Sequence, residues 1–126
     1  MIYIVLNALP ILIAALLSVG LGAIWYRRTI PGAAIAVVFL AQAWLAAILA
    51  GALILAPPKG GVWTMTIGSA VVIWAGFVAP ALVASYRIRA LGWKAIGQDA
   101  SYWLAAMVVQ AVVMRLIGLT APPVPA

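Results

Sequence analysis

Residues 18–32 read SVGLGAIWYRRTIPG. An apolar run with two glycines ends at Trp25 and Tyr26 and meets Arg27 and Arg28 at once. A dinucleotide-binding loop needs a strand ahead of its glycines and a third glycine opening a helix. Here Gly20 and Gly22 come late in a long apolar stretch, and Ile24 and Trp25 follow them. The phosphate reading therefore fails. Trp and Tyr collect where hydrocarbon meets headgroups, and arginines collect in the anionic layer beyond, so this stretch reads as the end of a membrane span.

The rest of the chain agrees. Of 126 residues, 69% are apolar and 6% charged, against about 25% charged in an ordinary soluble domain. So little polar surface cannot cover a water-facing core, which places the chain in lipid. Cysteine and histidine are both absent, which excludes disulfides, thiolate chemistry and the commonest acid/base catalyst and metal ligand. Seven basic residues stand against one acid, Asp99, giving a net charge of +6. They fall in short gaps between apolar runs and form no aromatic-interleaved basic face, so the sequence predicts no nucleic-acid partner.

Four runs are long enough to cross a bilayer: Ile2–Tyr26, Ala33–Leu55, Val62–Ser85 and Ala100–Leu119, each near the ~20 residues a span requires. They are continuous rather than alternating, which excludes barrel strands. RRTIPG, APPKGG and YRIRALGWKAIGQD read as the loops, and short loops make successive helices antiparallel neighbours. The expectation is an all-α integral membrane protein, a single domain over 1–126 built as an antiparallel bundle of four transmembrane helices. Arg27, Arg28, Arg87, Arg89 and Lys94 fall in the first and third loops, and Lys59 and Arg115 oppose them. Positive loops stay cytoplasmic, so both termini are expected outside, with the bacterial inner membrane as the location. The first run lacks a basic leader and a small-residue cleavage site and reads as a retained span.

Small residues recur every fourth position as Ala14, Ser18 and Gly22 and again as Ala43, Ala47 and Gly51. That spacing puts each trio on one face, where a second backbone can approach closely; in so alanine-rich a chain the stripes also arise from composition alone. Gln42 and Gln110 lie near mid-span and read as interhelical hydrogen-bonding glue, with Asn7, Thr66 and Ser69 as further polar positions. Trp44 and Trp74, also near mid-span, read as interior aromatics that fill the bundle or stack on a flat or lipid-like ligand. Trp25, Tyr26, Arg27, Arg28, Arg87, Arg89 and Lys94 read as anchors at the cytoplasmic interface. Arg115 is expected to snorkel to the outer headgroups, and Asp99 to cap the fourth helix or pair with the basic residues of its loop. Gly76 and Pro80 are expected to bend the third helix.

GAIWYRR, WAGFVAPAL and GQDASYWLAAMVVQAVVM resemble the small bacterial four-helix membrane proteins grouped as domain of unknown function 1761. That family shows Gly-x-x-Trp-Tyr closing its first helix, matched by Gly22, Trp25 and Tyr26, and a Gly-Phe pair in its third, matched by Gly76 and Phe77. It continues with a Ser-Pro and Phe-Gly pattern where this chain has RRTIPG. The resemblance implies the fold and no activity.

One carboxylate without a second acid, His or Cys is a poor catalytic set, and metal sites need three or four ligands. No enzyme activity, metal or cofactor is expected. The expected function is non-enzymatic helix–helix association, as a homo-oligomer or an accessory subunit of a membrane complex. The alternative is a small transporter or channel for apolar or cationic solutes. Compact four-helix multidrug exporters carry a Glu in the first helix, and this first helix has no acid. A lipid-headgroup enzyme using Asp99 with the nearby basic residues is the third class.

Overall fold

A computed structural model describes residues 2–27, 29–56 and 60–123. These residues form helices and no strands, in the order α1 (Ile2–Leu6), α2 (Ala8–Trp25), α3 (Gly32–Leu55), α4 (Val62–Ile73), a π-helical turn (Trp74–Val78), α5 (Ala79–Ile88) and α6 (Trp93–Ile117). Four helical stretches are long and apolar enough to cross a membrane: Ala8–Tyr26, Gly32–Leu55, Val62–Ile88 and Trp93–Ile117.

The differences from the expected boundaries have local causes. The first run is interrupted at Asn7, three residues before Pro10. Proline has no N–H to give the Leu6 carbonyl and its ring crowds that carbonyl, so the helix breaks there. Asn7 is buried and uses the break: its Nδ2 donates to the Tyr3 and Thr120 carbonyls, both at 2.8 Å, and its Oδ1 accepts from the Thr120 N–H at 2.6 Å. The start of the first span is thereby clamped to the segment after α6. In the third stretch the expected bend is a π-helical turn, in which the Ala79 N–H reaches back to the Trp74 carbonyl. Widening the helix by one residue accommodates the missing donor of Pro80. This stretch runs to Ile88, past the expected Ser85.

The fourth helix starts at Trp93 instead of Ala100, and only residues 89–92 separate it from α5. Ala90 takes a left-handed backbone (φ 59°), and the Leu91 N–H reaches back to the Tyr86 carbonyl at 2.9 Å. These are the features of a Schellman ending, with alanine where glycine is usual.

α2 packs on both α3 and α6, and α4 packs mainly on α6. The core is made of small and flexible side chains: Ala14, Ala46, Ala47, Ala50, Ala70 and Ala111, with Leu49, Leu53, Met107 and Met114 between them. Alanine keeps helix axes close, so the facing helices gain dispersion contacts.

Candidate functional site

The side chains with chemistry lie on one face of α6. Asp99, Tyr102, Ala106 and Gln110 are three or four residues apart and so share a face. That face turns toward α2 and α3. Because α6 begins at Trp93, Asp99 lies inside the helix, and the cap position belongs to Gly92. The expected capping role is therefore corrected. The Asp99 carboxylate instead accepts from two tyrosines, from Tyr26 Oη at 2.5 Å and from Tyr86 Oη. Tyr26 closes α2 and Tyr86 lies near the end of α5, so the single acid ties three of the four apolar stretches together at one end. Arg27 follows Tyr26, Arg87 and Arg89 follow Tyr86, and Lys94 opens α6; all four are exposed. Arg87 and Arg89 lie over the Trp93 and Tyr86 rings, with 5.1 and 5.8 Å to the centroids. Arg28 and Lys59 lie outside the described residues.

One turn further along α6, Tyr102 is buried at the meeting of α2, α3 and α6. Its hydroxyl donates to the Ser18 carbonyl and accepts from Gln42 Nε2, both at 2.8 Å. Gln42 Oε1 accepts from Gln110 Nε2 at 2.9 Å, and Gln110 Nε2 also reaches Ser18 Oγ at 2.8 Å. Ser18 Oγ donates to the Ala14 carbonyl at 3.0 Å. Gln42 and Gln110 thus sit in one buried layer and bond each other. Gln110 Oε1 is buried with no hydrogen-bond partner among the described residues.

The stripe of Ala14, Ser18 and Gly22 faces this layer. A Cβ on Gly22 would stand 3.1 Å from Tyr102 Oη, and one on Gly51 would stand 2.9 Å from Tyr3 Oη. The small residues therefore make room for tyrosine rings of the same chain, where close backbone approach was expected. Ala47 is buried and Ala43 half-buried in α3. Trp74 donates its Nε1–H to the Ala100 carbonyl at 2.9 Å. Trp44 corrects the interior expectation: it is 59% exposed and points away from the helices. Arg115 also departs from expectation, donating from Nε to Thr66 Oγ1 at 3.0 Å and from Nη2 to the Leu53 carbonyl at 3.3 Å.

Above the Tyr102 layer lies a cleft of about 570 Å³ between α2, α3 and α6. Val19, Ala34, Val38 and Ala41 give it apolar walls, while Gln42 and Tyr102 border it deep in the bundle and Tyr26 and Asp99 nearer the end. Trp103 completes it, and Asp99 is the one charged side chain among the described residues that line it. The Tyr102 ring stands 5.4 Å from Tyr26 and 5.2 Å from Trp103, in tilted and edge-on arrangements. Sequence reasoning passed over Tyr86, Tyr102 and Trp103. The signal for Tyr102 was its spacing from Asp99 and Gln110, which places all three on one helical face. Comparison of the chain with protein-family models, with curated proteins and with solved structures finds no match.

Proposed function

We propose that this is a non-enzymatic integral membrane protein, an antiparallel bundle of four spans, that binds apolar cations in the cleft beside Asp99. The observation that carries the reading is the lining of that cleft: one carboxylate and three aromatic rings, with Gln42 and Thr29, among mostly apolar walls around about 570 Å³. Such a volume is typical of small-molecule sites. A carboxylate gives a cation its counter-charge, and ring faces attract it through their quadrupoles. The exposed arginines nearby are screened by water and salt, whereas a charge within the cleft meets Asp99 at close range.

Antiparallel packing is supported by two contacts at opposite ends of α2 and α6, Asn7 to Thr120 and Tyr26 to Asp99. The clustering of Arg27, Arg87, Arg89 and Lys94 at the Asp99 end supports a cytoplasmic position for that end in the bacterial inner membrane, with both termini outside. A reporter fused after Ala126 is then active only if it works outside the cytoplasm; cytoplasmic activity would refute this orientation. The resemblance to the domain of unknown function 1761 proteins belongs to the same proposal and concerns the fold alone.

The test of the cleft is equilibrium binding of tetraphenylphosphonium to the purified chain in neutral detergent. Saturable binding is expected, weakened at least ten-fold in Asp99→Asn. Equal binding by the two proteins would sink the reading.

Association with a second copy or a partner subunit is the second reading. The observation in its favour is the third stretch, where Val71, Val72 and Phe77 are exposed and Gly68 and Gly76 have open space beside them. A strictly monomeric mass in mild detergent, with nothing co-purifying, would exclude it.

A further inference from the structure

The end of the molecule opposite Asp99 carries a second feature that cation binding does not use. We propose that Arg115 and the cavity beside it form a binding site for a phosphate-type oxyanion. The cavity holds about 280 Å³ and is bordered by Leu53, Ile54, Val62, Met65, Leu119 and the Arg115 side chain.

The guanidinium is held in place from two sides. Thr66 Oγ1 gives its own proton to the Val62 carbonyl at 2.7 Å, which leaves its lone pairs for Arg115 Nε at 3.0 Å. Nη2 reaches the Leu53 carbonyl, in the last turn of α3, at 3.3 Å. A guanidinium has five N–H donors in a rigid fork. Among the described residues these contacts use two and leave three, and the side chain borders the cavity.

Among the described residues the positive charge has no counter-charge within reach. The chain contains one acidic side chain, and Asp99 is sixteen positions back on the same helix, about 24 Å away at ~1.5 Å per residue. Its oxygens are engaged by Tyr26 and Tyr86. A half-buried cation near the end of an apolar helix is stabilised when an anion joins it. Planar, forked donors match the oxygens of a phosphate, and the surrounding Leu53, Ile54, Val62, Met65 and Leu119 suit the carbon atoms of a lipid. A phosphodiester headgroup and free inorganic phosphate share the recognised chemistry.

The experiment follows thermal unfolding of the delipidated full chain in neutral detergent, titrated separately with short-chain phosphatidylglycerol and with inorganic phosphate. The expected result is a saturable rise in Tm with the lipid. Its half-saturating concentration should increase at least ten-fold in Arg115→Gln and stay unchanged in Arg27→Gln, at the other end. Leu119→Trp, which fills the cavity and keeps the guanidinium, should weaken the response similarly, so the test survives if Arg115→Gln does not fold. A response to the lipid alone upholds the site as a headgroup site; an Arg115-dependent response to phosphate as well upholds it as a general oxyanion site. No saturable rise in the unaltered chain, or the same rise in Arg115→Gln and Leu119→Trp, overturns the proposal.

Discussion

The third and fourth stretches look interchangeable as apolar segments, yet they are opposites inside the molecule. Val62–Ile88 is the least buried of the four, and Trp93–Ile117 is both the least apolar and the most buried. In water this order would be inverted, because apolar area drives burial. In a bilayer, the setting proposed above, the tails are as apolar as leucine, so hydrophobicity alone selects no face. Small residues and polar partners do the selecting. The fourth helix carries Asp99, Tyr102, Gln110 and Arg115, each with hydrogen bonds to other helices. The third contributes fewer cross-helix polar side chains: Trp74 and Tyr86 toward α6, and Thr66 as acceptor for Arg115.

The strongest way to break this comparison is to insert the same volume into both. Ala106 is fully buried in α6 and Ala84 is exposed in α5. Ala106→Leu should destabilise the chain by about 3 kcal/mol, the upper part of the usual overpacking range. Ala84→Leu should stay within about 0.5 kcal/mol. Unfolding of the two variants in mild detergent checks this; similar losses would mean that the third stretch is packed as tightly as the fourth.

A second pair sharpens the comparison within α2. Gly22 faces Tyr102 at 3.1 Å, whereas Gly20 has nothing within 4 Å of a Cβ. Leucine gains the same helix propensity over glycine at both sites, so that term cancels. Gly22→Leu should then be the less stable variant by about 2 kcal/mol, because the Tyr102 ring must leave Ser18 and Gln42 to admit it. Equal unfolding temperatures would show that the small-residue stripe has no packing role.

That pair also marks how far the sequence could be read. The four apolar stretches were legible because length and continuity are local properties. The small-residue spacing singled out Gly22 and Gly51, but that tyrosine rings fill the space beside them depends on which helix lies opposite, and periodicity carries no such information. The early start of α6 was hidden by Lys94, Gly97 and Gln98, which read as a polar loop. The end of a helix that projects beyond an apolar layer need not be apolar itself, so the hydropathy pattern stops before the helix does. Asp99 was misread for the same reason. Its role depends on Tyr26 and Tyr86, which are 73 and 13 residues away in the chain. The break at Asn7 was within reach, since Pro10 is visible in the sequence and proline disrupts the carbonyl four residues back.

The smallest expected effect concerns two tryptophans that the sequence alone treats alike. Trp44 and Trp74 both lie near mid-span, and both present an indole N–H that hydrocarbon cannot satisfy. Trp74 donates to the Ala100 carbonyl at 2.9 Å and so joins the third stretch to α6. Trp44 is 59% exposed on the outer side of α3. Replacing each by phenylalanine removes the N–H and keeps an aromatic ring. The Ala100 carbonyl lies in the interior of α6 and retains its helical partner, so Trp74→Phe leaves no orphaned acceptor. Its cost is the net value of one interhelical hydrogen bond, about 0.6 kcal/mol on average in a membrane protein. Trp44→Phe forfeits no such bond and removes an exposed donor from an apolar surface, so it should be neutral or slightly favourable. Trp74→Phe is therefore expected to unfold at the lower temperature, by a small margin that repeated melts of both variants in one detergent can resolve. The reverse order would mean that Trp44 is held by a contact outside this chain, and that the face of α3 bearing it is covered by something other than lipid.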